Sequence, residues 1–224
     1  MNIMDIYFAP SKAFAALKEK PQWVTPFIIV LVVVALTAAL TVNFSRDEIM
    51  ARQQETLREQ GRSEEEIERA MQFTSGPIIF LGSAISATIF TAVLMLLFAL
   101  IINLFVPLFG GESGFKTIFS VICFSSLVLV PSAILKLILI AITRSPYVTT
   151  SLALLAPGLA KDTFVYKLLA GFDFFIMWEM ILVALGINIT NGIAKKNAYV
   201  LVFVIWIISI FIGVGISSIF GRGM

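Results

Sequence analysis

Residues 77–107 read PIIFLGSAISATIFTAVLMLLFALIINLFVP, without a single Asp, Glu, Lys or Arg. A helix needs about 20 apolar residues to cross the hydrocarbon core of a bilayer. At ~1.5 Å per residue this run is longer than the ~30 Å core, so a helix over it must tilt or protrude. The stretch therefore predicts a membrane-spanning helix, with a proline at each end.

Four other apolar runs have the same character. The whole chain is 59% hydrophobic and 13% charged, with a mean hydropathy of +0.98, whereas a soluble domain is about half apolar and a quarter charged. The runs are continuous rather than alternating, which favours helices over barrel strands. We predict an all-α polytopic membrane protein, a single membrane domain over residues 1–224. Its five spans are 24–44, 77–107, 117–142, 164–187 and 198–219.

The densest run of charge lies between the first two spans, in residues 45–75. Gly61 divides this segment, and Ser63 with Glu66 has the spacing of a capping box for a second helix. Favourable i,i+4 ion pairs support both helices: Glu48–Arg52 and Glu65–Arg69. The segment carries five Arg against eight acidic residues, so it is net acidic. We predict a small helical hairpin outside the bilayer, either a solvated spacer or a docking surface for a partner.

Residues 1–23, MNIMDIYFAPSKAFAALKEKPQW, precede the first span. Phe14 and Leu17 share one face of a helix that begins near Pro10, and lysines lie on its other faces. This pattern predicts an interfacial amphipathic helix against anionic headgroups, or an ordinary flank whose lysines set the topology. The candidate anchor residues are Lys12, Phe14, Leu17, Lys18, Lys20 and Trp23.

The lysines also indicate an orientation. With the N-terminus inside, the inner side receives Lys12, Lys18, Lys20, Lys116, Lys195 and Lys196. The arginines of 45–75 then lie outside, against the tendency of Lys and Arg to collect inside. Because the lysine-rich first flank usually dominates, we predict a cytoplasmic N-terminus.

The third span and the segment after it are irregular. Pro131 predicts a kink, because proline cannot make the helix hydrogen bond. Residues 152–160 read LALLAPGLA, which is too short to cross the membrane. We expect this piece to be interfacial or partly re-entrant.

The composition lacks the usual catalytic groups. The chain has no histidine and one cysteine, so the commonest general base and metal ligand is absent and no intrachain disulfide can form. No phosphate-binding loop, zinc-ligand spacing or nucleophile with a histidine base is present. The net charge of +2 comes without a basic block. We expect no enzymatic activity, no cofactor and no nucleic-acid partner.

Lys136, Asp173 and Glu179 are candidate polar residues inside predicted spans, and an ionised carboxylate there costs roughly 3 kcal/mol on insertion scales. Asp173 and Glu179, six residues apart on one helix, would lie ~120° apart around it and ~9 Å apart along it. They are therefore not expected to form an acid–base dyad. Lys136 lies at the depth of Asp173, because the third and fourth spans run in opposite directions. This predicts an ion pair between Lys136 and Asp173.

Glu179 has no basic residue at its depth. We expect it to be protonated, to bond a hydroxyl group of a neighbouring span, or to face a wet cavity. The candidate hydroxyl groups belong to Ser86, Thr88, Thr91, Ser125 and Ser126. The three ionisable residues are either structural or part of a transport path.

Three stretches resemble a known membrane-protein family. In FDFFIMWEMILVALGI, residues 172–187, Asp173 followed by Phe and then Trp178 looks like the Yip/Yif membrane domain. The N-terminal IYFAPSKAFAALKEKPQWVTP and the hairpin stretch EQGRSEEEIERA resemble bacterial members of that family. The resemblance covers nearly the whole chain.

The resemblance implies five helices, a cytoplasmic N-terminus, no enzymatic activity and, for a bacterial member, the cytoplasmic membrane. Eukaryotic members are associated with Rab-type GTPases and vesicle traffic, and they have a long cytoplasmic N-terminal region. Here only residues 1–23 precede the first span, so a GTPase partner is not expected.

Two functions from different classes fit these observations. One is a membrane scaffold, assembly or trafficking-like factor, whose partners are the lipid bilayer, other membrane proteins or a second copy. The other is a small transporter or channel for an ion or a lipid headgroup, with Asp173 and Glu179 along its path. Enclosed, hydrogen-bonded carboxylates favour the scaffold, and a water-accessible cavity at Glu179 favours transport.

Overall fold

The described part of the molecule is dominated by helices. The structure, a computed structural model, describes residues 3–75, 78–161 and 163–220. Within these ranges the α-helices are α1 (Asp5–Phe8), α2 (Pro10–Glu19), α3 (Val24–Phe44), α4 (Arg46–Glu59), α5 (Glu64–Ser75), α6 (Ile78–Phe105), α7 (Phe115–Ser125), α8 (Leu129–Thr143), α9 (Phe164–Gly171), α10 (Phe174–Asn191) and α11 (Lys195–Phe220).

Within the described ranges, five helical segments are long and apolar enough to cross a membrane, which confirms the predicted fold class. They are Val24–Phe44, Ile79–Phe109, Phe115–Thr143, Phe174–Asn191 and Lys195–Ser217. The second continues α6 through a 3₁₀ turn at Val106–Phe109, and the third joins α7 to α8 through a 3₁₀ turn at Ser126–Val128. The first span has the predicted bounds. The second and third differ from 77–107 and 117–142 by a few residues, and Pro77 lies outside the described residues.

Pro131 lies just after the 3₁₀ turn that interrupts the third span. Proline has no N–H, so the carbonyl group of Leu127, four residues earlier, loses its helical donor. The Tyr7 hydroxyl group donates to that carbonyl oxygen at 2.6 Å. The N-terminal segment therefore supplies a hydrogen-bond donor at the point where the 3₁₀ turn and Pro131 interrupt the third span.

The fourth predicted span, 164–187, is wrong as one continuous helix. Helix α9 ends at Gly171 and α10 begins at Phe174. Asp173 breaks the helix because its carboxylate accepts hydrogen bonds from the first backbone N–H groups of α10, the usual role of Asp at an N-cap. The helix then continues to Asn191, and α11 begins at Lys195 rather than at the predicted 198.

The prediction that the apolar face of the N-terminal helix lies against lipid headgroups is also wrong. Helix α2 packs against α10 and α7, and Phe14 and Leu17 are fully buried in the core. Gly186 makes the close approach possible. A Cβ atom there would lie 2.4 Å from Val121 Cγ1 and 3.0 Å from Phe14 Cε1. An amphipathic helix can bury its apolar stripe against protein as well as against lipid, and here it does the former.

The charged segment forms the predicted hairpin of α4 and α5. Gly61 turns the chain with φ +73°, a backbone conformation that suits glycine. The capping box is present: Ser63 N–H donates to Glu66 Oε2 at 3.0 Å, and Glu66 N–H donates to Ser63 Oγ at 3.3 Å. Both expected i,i+4 ion pairs form, Glu48–Arg52 and Glu65–Arg69.

The segment after the third span folds over the N-terminal end of α10. Leu152 N–H donates to the Phe172 carbonyl group at 3.1 Å, and Phe174 N–H donates to the Thr150 carbonyl group at 3.2 Å. The short 3₁₀ turn Leu152–Leu155 packs against α9 and leaves Leu154 and Leu155 exposed. Residues 152–160 thus lie at the end of a span, which agrees better with an interfacial segment than with a re-entrant one.

Candidate functional site: polar residues along an intramembrane cavity

Asp173 is held by four hydrogen-bond donors. Oδ1 accepts from the backbone N–H groups of Phe175 and Ile176 at 2.9 and 3.4 Å. Oδ2 accepts from Thr150 Oγ1 at 2.5 Å and from Lys136 Nζ at 3.1 Å. The predicted Lys136–Asp173 ion pair is thus present. The Asp173 side chain is 5% exposed and that of Lys136 is 32% exposed.

The N-cap position changes the predicted relation between the two carboxylates. Asp173 has extended backbone angles, so the angular separation calculated for one continuous helix does not apply. The 18 residues of α10 span ~27 Å, close to the thickness of the hydrocarbon core. Asp173 therefore lies near one end of the span, where a charge costs less than at the centre.

Glu179 has a sparser environment. It is 8% exposed, and Ser126 Oγ lies 2.5 Å from Glu179 Oε1. Ser126 Oγ also lies 3.0 Å from the Ile122 carbonyl oxygen. A hydroxyl group has one proton and cannot donate to both oxygens. A neutral carboxyl group that donates to Ser126 satisfies both contacts, with Ser126 donating to Ile122. Of the five candidate hydroxyl groups, Ser126 is the one that contacts Glu179.

A cavity of about 730 Å³ connects these groups. Its walls come from α3, α6, α8, α10 and α11, and they are mostly apolar. Lys136, Asp173 and Glu179 all line it, together with Ser132. The structure therefore brings the three predicted ionisable residues to one cavity, although not into a single cluster.

Trp178 lies apart from this cavity. Its ring packs 6.5 Å from that of Tyr7 in an edge-to-face arrangement, and 6.5 Å from that of Phe174. Edge-to-face aromatic pairs of this kind stabilise packing. Trp178 thus belongs to the contact with the N-terminal segment rather than to the polar site.

The six candidate anchor residues separate into three groups. Phe14 and Leu17 are buried in the bundle, whereas Lys12, Lys18 and Lys20 are exposed. Trp23 packs on the rings of Phe27 and Phe119 at 5.8 and 5.5 Å. An ion pair joins the exposed Lys12 to the partly buried Asp5 at 3.7 Å.

Sequence reasoning missed Tyr7, Thr150 and Ser132. A signal for Tyr7 exists in principle, because Pro131 leaves a carbonyl group in need of a donor. Nothing local marks Thr150 or Ser132, since their roles depend on how distant segments pack. Within the described ranges, no three His, Cys, Asp or Glu residues are close enough to hold a metal ion.

Comparison with known proteins agrees with this architecture. The Yip1 domain matches residues 4–216. The chain belongs to the Yip1 domain family. The resemblance noted in the sequence is therefore confirmed over nearly the full length, and it covers all five spans.

A curated relative of this Yip1-domain protein is "Membrane protein YknW" of Bacillus subtilis (strain 168). The two are 28% identical over 229 residues, which cover 98% of this chain and 93% of the relative. No solved structure matches the chain. Of the two positions that carry the family-like pattern here, Asp173 caps a helix and Trp178 packs on the N-terminal segment.

Proposed function

We propose that this Yip1-domain protein is a non-enzymatic scaffold or assembly factor of a bacterial cytoplasmic membrane, with its N-terminus in the cytoplasm. It acts through protein or lipid partners rather than through a reaction. The match to a bacterial membrane protein supports the compartment. The lysines of the N-terminal flank support the orientation.

The observation that carries the proposal is the state of the two carboxylates. Asp173 is enclosed by four donors, and Glu179 is buried against Ser126. A relay or ion path needs groups that exchange protons or ligands with water. Groups bonded in this way instead fix the register of helices, which a scaffold needs.

The hairpin of α4 and α5 is the proposed docking surface. It lies outside the spans, it is net acidic, and most of its charged side chains are exposed. Glu55 and Glu68 are exposed and take part in no ion pair within the described residues. Their charges are therefore free to meet a basic partner.

Crosslinking in native membranes followed by copurification tests this proposal. We expect the wild type to capture a specific membrane protein and the double variant Glu55→Lys/Glu68→Lys to lose it. The matched control is Glu19→Lys, a reversal of an exposed charge on α2, which should keep the partner. Equal capture by both variants, or no specific protein with the wild type, would contradict docking through the hairpin.

Transport is the second candidate function, and one observation favours it: Glu179 lines a cavity. Under this alternative Glu179 exchanges protons or cations along a polar path. Ion flux in proteoliposomes decides between the two. Transport requires flux with the wild type that is lost with Glu179→Gln, whereas the scaffold proposal expects neither protein to conduct.

A further inference from the structure

We propose that the cavity is a binding site for one phospholipid of the bilayer, with an acyl chain between the apolar walls and its ester and phosphate oxygens at Ser132 and Lys136. The proposal names a lipid partner for the scaffold function proposed above and rests on that function. Size, access, hydrogen-bond donors and depth each support it.

The size of the cavity selects a chain-like ligand. Its volume of about 730 Å³ lies within the ~300–1,000 Å³ range of small-molecule sites. A helix of about 18 residues and ~10 Å diameter occupies about 2,000 Å³. A transmembrane helix of a partner or of a second copy therefore does not fit inside the cavity, whereas a hydrocarbon chain does.

The cavity is accessible from the bilayer. Leu94, Leu97 and Ile101 follow one face of α6, line the cavity and remain exposed. Helix α6 packs along α3 but barely touches α11, whose Ile205 and Trp206 form the opposite wall. The gap between α6 and α11 therefore opens sideways, where the surrounding medium is lipid.

Two polar side chains of the cavity wall, Ser132 and Lys136, have hydrogen-bond donors to spare. Ser132 is nine-tenths buried, and its hydroxyl group makes no hydrogen bond within the described residues. Lys136 lies one turn further along the same face of α8 and uses one of its three ammonium protons on Asp173. Phosphate and ester carbonyl oxygens are acceptors, so a phospholipid matches this set.

The depth of these donors fits a lipid headgroup. The third span has 29 residues and is ~43 Å long, about 13 Å more than the hydrocarbon core. Lys136 lies seven residues, or ~10 Å, before its end at Thr143. Lys136 and Asp173 thus lie near the membrane surface, and the cavity continues inward to Glu179. A phospholipid of the leaflet on that side likewise has its polar headgroup at the membrane surface and its apolar acyl chains further inward.

The local charge predicts weak headgroup selectivity. Asp173 neutralises Lys136 at 3.1 Å, so the site carries no net charge that would demand an anionic lipid. Phosphatidylcholine and phosphatidylglycerol with the same acyl chains should bind within a few-fold of each other. Binding of phosphatidylglycerol alone would overturn this recognition scheme.

Trp206 is a natural reporter, since it lines the cavity and is buried. The chain has three Trp residues, so Trp23→Phe/Trp178→Phe leaves Trp206 as the fluorophore. The experiment titrates the purified full-length protein in detergent with phosphatidylcholine brominated on its acyl chains. We expect saturable quenching at a low lipid mole fraction, and quenching that only rises linearly would overturn the proposal.

Two matched variants locate the site. Ala133→Phe fills the cavity, whereas Ile134→Phe places the same side chain at the next residue, which is exposed. We expect the first to abolish saturable quenching and the second to keep it. Equal quenching in both would overturn the proposal.

Ser132→Ala removes one hydrogen-bond donor without adding volume. We expect it to raise the half-saturating lipid concentration about fivefold. An unchanged half-saturating concentration would show that Ser132 does not contact the lipid.

The two proposals fail separately. Suppose that Glu55→Lys/Glu68→Lys loses the captured partner but the wild type shows no saturable quenching. The scaffold proposal then stands and the lipid-site proposal is wrong. Saturable quenching that Ala133→Phe abolishes, with no protein captured, identifies a lipid-binding protein without the proposed protein partner.

Discussion

Two carboxylates lie on the wall of the same cavity, and their environments differ. Asp173 meets an ammonium group, a hydroxyl group and two backbone N–H groups. Glu179 meets the hydroxyl group of Ser126. Within a membrane, an ionised carboxylate is tolerated where donors converge, as at Asp173. A carboxyl group with one partner is better accommodated as a neutral acid, as at Glu179.

The largest effect should come from Asp173→Asn. This change removes the charge but keeps an N-cap oxygen, and it leaves the Lys136 ammonium group partly buried without its counter-ion. We expect the free energy of unfolding to fall by about 2 kcal/mol, measured by denaturant unfolding in detergent. Asp5→Asn, which breaks the long ion pair with the exposed Lys12, should cost less than about 0.5 kcal/mol.

A double-mutant cycle sharpens the same point. Lys136→Met added to Asp173→Asn should recover part of the lost stability, because the unpaired ammonium group is then gone. Purely additive losses would mean that the two side chains do not interact.

Tyr7→Phe tests the hydrogen bond to the Leu127 carbonyl group, which lies next to Ser126, the residue that contacts Glu179. The variant removes the hydroxyl donor of the Leu127 carbonyl group and leaves it the contact with the Leu129 N–H, since Pro131 has no N–H. We expect a loss of about 1–2 kcal/mol of unfolding free energy. Tyr199→Phe is the control, because the Tyr199 hydroxyl group makes no hydrogen bond in the described part of the chain. Equal effects would rule out the special role of Tyr7.

Glu179→Gln should be milder than Asp173→Asn. The amide keeps a polar group beside Ser126 and introduces no unpaired charge, so stability should change by no more than about 1 kcal/mol. The same unfolding measurement compares the two variants. A larger loss than that of Asp173→Asn would show that Glu179 is ionised and paired.

The smallest effect concerns a third carboxylate, Glu66, which caps a helix in water. The Ser63 backbone N–H donates to it and holds the pKa of this carboxyl group below its ordinary value. A lowered folded-state pKa adds stability above the unfolded pKa of about 4.3, and this is lost as the pH falls through the lower folded value. NMR shifts of residues 64–67 should report fraying of α5 in that window, and Glu66→Gln should remove the pH dependence.

Hydropathy and spacing predicted much of this molecule. The first span, the hairpin with its capping box and the Lys136–Asp173 pair all follow from run length, helix periodicity and matched depth. The break at Asp173 did not follow, because an N-cap inside an apolar run leaves the hydropathy unchanged. The burial of Phe14 and Leu17 was missed since an amphipathic stripe has the same period against lipid and protein. The cavity depends on how α6 and α11 diverge, and no local pattern records that.

The contact of Tyr7 with Leu127 has a consequence for biogenesis. The two residues are 120 positions apart, and the N-terminal segment also packs on α10, which is made later still. The N-terminal segment, which is synthesised before the five spans, therefore meets α10 only after the fourth span has been synthesised. Until then the apolar face of α2 has only α7 of the third span to pack against, and its contact with α10 completes its burial.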